Sequence, residues 1–541
     1  MHPLQRYTLG MNRYIHIALI AVALLSHPAA GEEPAATDRP FQIRIVDEQT
    51  GRGVPLVELR TVNGVRCYSD SAGNVAFSEP GLMGSKVFFF LTSHGYEFPK
   101  DAFGMVGAAV ETAPGGSATL RIKRLNIAER LYRVTGEGIY RDTVLLGQPA
   151  PIRQPLLNAQ VAGQDSVQAL PYRGKLYWFW GDTGRMSYPL GQFQTSGATS
   201  QPPADGGLAP SVGVDLEYFA GPDGFSRRMC PMERGGEPIL VWLDGLLTAP
   251  DESGGERLVA RYAQMKSLEK MLEHGLVVFN DQTQTFEKIA QLELAEQWRF
   301  PRGQAVRYSD GGKEYYLFPA PYPVTRVAAA LEQIKDPAAY EAFTPLQAGQ
   351  RYSPEAVVER DAAGKAVWGW KRDTDPISPR QERELIAAGK LQPGEARFQL
   401  TDADGGGPVE LHGGSFHPNA HLGKWIMIGV QAGGKSSFLG EVWFAAADGP
   451  TGPWTTAVKI ATHDRYSFYN PTQHVFFDEE GGRVVYFEGT YAETFSGAPF
   501  ATPRYDYNQV MYRLDLADPR LAPPAAQSQP TTTTTAPAEG D

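Results

Sequence analysis

One motif recurs along this chain and limits its fold more than any other feature: a tight turn, a strand of aromatic and branched apolar residues, then a polar end. Four copies align well, RGKLYWFWGDT at 173–183, GGKEYYLFPAP at 311–321, GKWIMIGVQ at 423–431 and GGRVVYFEGTY at 481–491. A weaker fifth, GERLVARY at 255–262, carries arginine in place of some apolar residues. Each copy follows a short candidate strand and precedes two more, as at 415–421, 424–430, 441–446 and 454–460. The third and fourth strands read as meander hairpins closed by Gly, Pro, Asn and Asp, for example GLVVFNDQTQTFEKI at 275–289. Four antiparallel strands per unit, repeated, describe the blades of a β-propeller, and five units fit between Gly163 and Leu516. The last unit lacks a fourth strand after 511–516, so a segment near 131–146 is expected to supply it and close the ring.

Two stretches break the blade pattern and are expected to be short helical insertions. They are 328–343 and 378–390, the latter with Ser378 as N-cap and Pro379 at the first helical position. Beyond Ala522 a Thr/Pro/Ala-rich tail lacks the apolar residues to bury a core and is expected to be disordered.

Upstream of the repeats, Arg6 and Arg13 precede an apolar run, Ile15 to Leu25, and the small residues Pro28-Ala29-Ala30-Gly31. That is the pattern of a secretory leader over 1–31, cleaved near Ala30 or Gly31, with an uncleaved anchor as the alternative. The run is about half the ~20 residues a spanning helix needs. We therefore expect an exported protein, periplasmic or extracellular, without a membrane span. Residues 40–124 then alternate in the strand period, FQIRIVD, PLVELRTV, NVAFSEP, KVFFFLTSHGYEF and ATLRIKR, and read as a small β-sandwich. Residues 125–162 form the connector. The fold class expected is thus all-β, an N-terminal sandwich followed by a five-bladed propeller.

Through DEQTG at 47–51, SDSAGNV at 69–75 and SHGY at 93–96, the sandwich resembles the transthyretin-like, carboxypeptidase-regulatory domains. The resemblance implies a spacer or adhesion unit. Only two cysteines, Cys67 and Cys230, occur, one in each predicted domain, so disulfides are not expected to hold the fold. The net charge of −11 argues against nucleic acid or anionic lipid as partner. The 24 Tyr and 9 Trp offer flat faces of the kind that stack on sugar rings.

A propeller gathers its innermost strands around one axis, where polar residues far apart in sequence can meet. Asp165 opens the first inner strand and Asp182 ends WFWGDT. A carboxylate at the end of so apolar a strand suits glycoside hydrolysis, in which one carboxyl protonates the leaving oxygen and another attacks carbon or activates water. The alternative is that both aspartates cap turns. Asp165, Asp182 and the YWFWGDT strand resemble the opening blade of the five-bladed propeller glycosidases, the arabinanase and fructosidase group, and are most similar to the endo-D-arabinanases. In that group an aspartate near the start of the first blade is nucleophile or base, which implies such a role for Asp165. GPTGPW at 449–454 resembles a turn of the same enzymes.

For the acidic partner, Glu488 in YFEGTY and Asp506 in RYDYNQ sit among tyrosines near Arg504, surroundings that raise a carboxyl pKa and suit a general acid. Glu488 is preferred, against the alternative of a structural Glu488–Arg504 pair, and Glu441 comes third. His412, His417, His421, His463 and His474 cluster in sequence and are expected to line one sector of the funnel. His417, Asn419, Tyr469, Asn470, Arg504 and Tyr505 are the candidates for binding sugar hydroxyls. Pro418 spoils a helical His417/His421 zinc pairing, so no cofactor is expected, with a structural calcium or sodium ion left open. HGGSF lacks the nucleophile-elbow spacing of a serine hydrolase. Taken together, these features indicate a monomeric, exported glycoside hydrolase-like protein acting on a polysaccharide or oligosaccharide. The rivals are a non-catalytic glycan- or protein-binding propeller displayed on its sandwich, and a lyase.

Overall fold

The computed structural model describes residues 39–522 apart from Phe193 and Gln297, so the leader-like segment and nearly all of the Thr/Pro/Ala tail lie outside the described residues. Within 41–124, alternation puts one face of each strand inward. Lys86–Thr92, for instance, buries Val87, Phe89 and Leu91 and turns its other residues outward. Two four-stranded sheets result, Asn74–Phe77, Phe41–Asp47, Ser117–Arg124, Tyr96–Glu97 and Arg66–Tyr68, Glu58–Thr61, Lys86–Thr92, Gly107–Glu111, each in that spatial order. They share a core that includes Ile43, Leu59, Val75, Phe89 and Ile122.

The remaining described chain forms five blade sheets, beside a three-stranded sheet (Val161–Gln164, Thr183–Arg185, Tyr188–Gln192) and the hairpin Glu233–Arg234 with Glu237–Pro238. Blade 1 is Gln168–Tyr172, Lys175–Trp180, Ser196–Ser200 and Glu217–Tyr218; blade 2 is Leu240–Pro250, Glu256–Ser267, Lys270–Asn280 and Thr285–Leu292. Blade 3 is Val306–Asp310, Lys313–Pro319, Pro323–Ala328 and Glu341–Thr344, with Gly369–Arg372 added outside. Blade 4 is Leu411–Asn419, Lys424–Gln431, Val442–Ala447 and Thr456–Ala461, with Thr401–Asp402 added in parallel. Blade 5 is Ser467–Gln473, Val484–Ala492 and Asn508–Asp515, and its fourth strand is Glu129–Arg133, antiparallel to Asn508–Asp515. The closing strand therefore starts before the expected 131–146 window, most of which instead forms a turn and the short helix Arg141–Leu145.

All five copies of the recurrent motif are second strands, and packing explains their composition. Five apolar wedges fill the gaps between neighbouring blades, and successive residues of a second strand point into opposite wedges. Trp178 faces the wedge shared with blade 5, which holds Leu131, Tyr486 and Met511, whereas Phe179 faces the wedge shared with blade 2, which holds Tyr262 and Phe279. Leu276, Phe318 and Tyr340 join blades 2 and 3; Leu317, Met427 and Trp454 join blades 3 and 4; Ile428, Phe487 and Tyr512 join blades 4 and 5. A strand buried on both faces must be apolar throughout, hence runs such as KLYWFW. The wedges close a ring.

The insertion between blades 3 and 4 carries its own small core, Leu346, Ile377, Leu385 and Leu391. Its helix Pro379–Ala387 begins as expected: Ser378 Oγ accepts from the Gln381 N–H (3.2 Å) and the Gln381 side chain accepts from the Ser378 N–H (2.8 Å). The helix expected over 328–343 is reduced to Leu331–Lys335 and a 3-10 turn, Pro337–Ala339. Residues 341–344 extend instead, because Ala342 and Phe343 find ladder partners in Lys371 and Trp370.

Sandwich and propeller are fastened by buried polar contacts. Arg130, on the closing strand, donates to the carbonyls of Pro55 (3.1 and 2.9 Å) and His94 (3.2 Å) and to Ser93 Oγ (2.6 Å). The Tyr505 hydroxyl donates to the Ser69 carbonyl (2.6 Å) and accepts from the Leu56 N–H (3.1 Å). Cys67 and Cys230 are both free thiols, one in each body.

Candidate active site

One end of the ring opens into a cavity of about 1250 Å³ lined by all five blades. Its blade 5 and blade 1 wall gathers Asp165, Asp182, Tyr469, Asn470, Asp506 and Tyr507, and the wall from blades 2 and 3 brings Trp242, Asp244, Arg261, Arg302 and Gln304.

Asp165 lies just past the strand Val161–Gln164, with Gly181 pressed against it: a Cβ there would lie 2.3 Å from Asp165 Oδ1. The glycine of WFWGDT therefore lets the end of one strand approach the carboxylate. The Tyr469 hydroxyl donates to Asp165 Oδ2 (3.2 Å), and Tyr507 and Ser166 also hydrogen-bond to it. Burial, then repulsion from Asp182, pushes the Asp165 carboxyl up to about 6 against those donors. Asp182 Oδ1 accepts from the Trp242 indole N–H (2.9 Å), and burial raises its pKa too. The surrounding backbone is strained. Ser166 (φ 56°), Asn470 (φ 50°), Phe495 (φ 64°) and Tyr507 (φ 56°) all line the cavity in the left-handed region. The Asn470 side chain donates to Ser166 Oγ (2.8 Å) and ties the two bent segments together.

Asp506 reaches the same cavity, but its Oδ1 accepts from the Tyr466 hydroxyl (2.7 Å) and the Glu493 N–H (2.6 Å), which makes it a clamp on the loop. Asp244 was not singled out from the sequence. It ends the run VWLD as Asp182 ends WFWGD, so the same signal was present. Its Oδ1 accepts from the Gly245 and Gly303 N–H groups (2.9 Å each), stitching blade 2 to the entry of blade 3, and burial raises its pKa.

Other expected site residues lie elsewhere. Glu488 is wholly buried, away from the cavity lining, with Oε1 on His474 Nε2 (2.9 Å); it belongs to the second strand Val484–Ala492, which is buried along its whole length. The alternative Glu488–Arg504 pair does not form either, and Arg504 instead faces Glu137 (3.4 Å). Tyr505 holds the sandwich. Asn419 donates to the Gly482 carbonyl (2.7 Å) and accepts from the Leu422 N–H (2.9 Å), so it shapes a turn. Glu441 accepts from Lys459 (3.2 Å) outside the cavity.

The histidines do not share a sector, because their strands send them in different directions. His412 alone of the five reaches the cavity; His417 is held down to about 4 by burial and by His474, and His463 bonds Tyr512 (2.8 Å) in the interior. Among the described residues no cluster of three or more His, Cys, Asp or Glu is placed to hold a metal ion.

No protein-family model matches the sequence, and no curated protein matches it. Among solved structures it is similar to an exo-β-1,3-galactanase from Phanerochaete chrysosporium with β-1,3-galactotriose (9% identity, 72% of this chain and 65% of that one, TM-score 0.33). The match thus spans about two thirds of the galactanase's length. It is also similar to a GH43_1 enzyme from Xanthomonas citri complexed with xylotriose (10% identity, 66% and 88%, TM-score 0.31). A third is an α-L-arabinanase from Cellvibrio cellulosa (8% identity, 65% and 92%, TM-score 0.32).

Proposed function

We propose that this protein is a glycoside hydrolase that cleaves a polysaccharide outside the cytoplasm, with Asp165 and Asp182 as its working pair. The observation that carries the proposal is the placing of these two half-buried carboxyls in one wall of an open cavity, close enough that Asp182 raises the Asp165 pKa by repulsion. Two carboxyls that repel each other do not both ionise readily, so the pair retains one proton over a range of pH. The protonated member gives its proton to the glycosidic oxygen as the anomeric C–O bond breaks. The ionised member faces the positive charge developing at that carbon and attacks it, or takes a proton from the water that does. Tyr469 and Tyr507 keep the Asp165 carboxyl oriented, and Trp242 does the same for Asp182. The leader pattern at 1–31 supports the location.

The test is release of reducing ends from a panel of polysaccharides by the intact protein and by Asp165→Asn and Asp182→Asn, at equal concentrations of folded protein. A fall of about 10³-fold or more in either variant, with the circular dichroism spectrum retained, is expected. A protein that binds a glycan yet releases nothing would replace the hydrolase with a binding module.

A further inference from the structure

The cavity is electrically lopsided. Facing the wall of aspartates and tyrosines are Arg261 and Arg302, from the second strand of blade 2 and the entry to blade 3. Among the described residues neither guanidinium has a carboxylate within 4.0 Å. Arg302 Nε is buried without a hydrogen-bond partner. Asp244, opposite Arg261 in the ladder, attracts both guanidinium groups while its Oδ1 also accepts from two backbone N–H groups, so a single acid is shared between two cations. Two half-buried cations sharing one carboxylate leave a net positive charge on this wall, and such an arrangement suits a ligand that brings the missing negative charge.

Neutral groups hold these cations in position. Arg261 Nε donates to His274 Nδ1 (3.3 Å), so the other ring nitrogen carries the proton and donates to the Glu293 carbonyl (2.8 Å). The Arg261 guanidinium lies over the Phe300 ring (4.4 Å), and that of Arg302 lies 6.0 Å from the same ring. Apart from a long contact from one Arg261 terminal nitrogen to Met271 Sδ (3.6 Å), the forked terminal N–H groups are uncommitted. A planar fork matches a planar carboxylate.

We propose that Arg261 and Arg302 form an anion subsite that receives the carboxylate of a uronic-acid residue, which makes the substrate an acidic glycan. This rests on the glycan-cleaving assignment of the Asp165–Asp182 wall, from which the bound carboxylate is kept apart by charge. A neutral glycan leaves the two cations with Asp244 as their shared counter-charge and binds more weakly.

The experiment is calorimetric titration of the intact Asp165→Asn protein with uronic-acid trisaccharides (galacturonate, glucuronate, mannuronate), each beside its carboxyl-reduced neutral counterpart. At least one acidic member should bind about tenfold tighter than its neutral form. The preference should vanish in Arg261→Gln and Arg302→Gln, survive in part in Arg302→Lys, and shrink with salt. Equal binding of every acidic and neutral pair, or a preference untouched by the arginine substitutions in variants that fold, overturns the subsite. Should a glutamine variant fail to fold, the salt dependence and the Lys variant decide. Binding of uronates without turnover by the unsubstituted protein would sink the hydrolase and keep the subsite; turnover of neutral glycans alone would do the reverse.

Discussion

Asp165 is held in its folded surroundings at a cost. Its folded pKa of about 6 lies above the ordinary value of 3.8, so folded protein binds this proton more tightly than unfolded chain. The associated stability is present in full below about pH 4 and is lost as pH rises through about 6. Asp165→Asn, which removes the charge, should therefore raise Tm at pH 7, by up to about 3 kcal/mol in stability, while ending turnover; a lowered Tm would refute the electrostatic account. The same titration sets the alkaline limb of activity. Once the pair loses its last proton no acid remains, so kcat/KM should fall as pH rises through about 6, and a profile flat from pH 5 to 8 would contradict this. Glu488→Ala should leave the kcat of folded protein within about threefold but destabilise it by roughly 2–4 kcal/mol, since it opens a cavity and strands His474. Asp165 and Asp182 were legible in the sequence because each interrupts an apolar context at a strand terminus. Glu488 misled because its tyrosine and phenylalanine neighbours look the same whether they border a funnel or fill a wedge.

The second strands were the most legible elements, since burial on both faces demands an unbroken apolar run. First strands were less so: Leu240–Pro250 carries Trp242 and Asp244 into the cavity, and its run ILVWLD ends in a carboxylate as WFWGD does, but it lies outside the recurrent copies. Nor did the arginines of the weakest repeat announce a site. They appeared as imperfections in a pattern, when Arg261 in fact lines the cavity together with Ala263 and Met265 of the same strand. Strands Glu256–Ser267 and Lys270–Asn280 also run longer than their counterparts and carry Met265, Leu268 and Met271 to the cavity wall. Leu268 there is 75% exposed, so its apolar surface is available to a long ligand. Shortening the hairpin between Lys266 and Lys270 by its tip should raise KM for polymer severalfold, leave KM for a short oligosaccharide nearly unchanged, and shift Tm little. Equal effects on both substrates would mean the hairpin serves only the fold.

The division into sandwich and propeller could be read from the alternating run that ends at Arg124 and the recurrent motif that begins at Arg173, but their union could not. Arg130 and Tyr505 bond mainly to main-chain carbonyls and N–H groups of residues distant in sequence, and backbone atoms leave no trace in composition. A sandwich gripped by buried hydrogen bonds is a poor spacer and a good brace. Calorimetry should show both bodies unfolding in one transition, and Arg130→Ala, which orphans several buried acceptors, should cost roughly 3–5 kcal/mol and lower that single Tm. Two well-separated transitions, with only the second near the intact value, would show independent bodies.

The pairing of Glu129–Arg133 with Asn508–Asp515 also sets a timetable. As the chain emerges during synthesis, the sandwich can complete its core first, but the strand attached to it must wait, one edge unpaired, until the last described strand has been made. Until then every blade already formed belongs to an open arc. The polypeptide thus carries its own completion check: a chain cut short before Asn508 presents an uncapped edge at both ends of the arc to proteases, and only a full-length one can shut the ring.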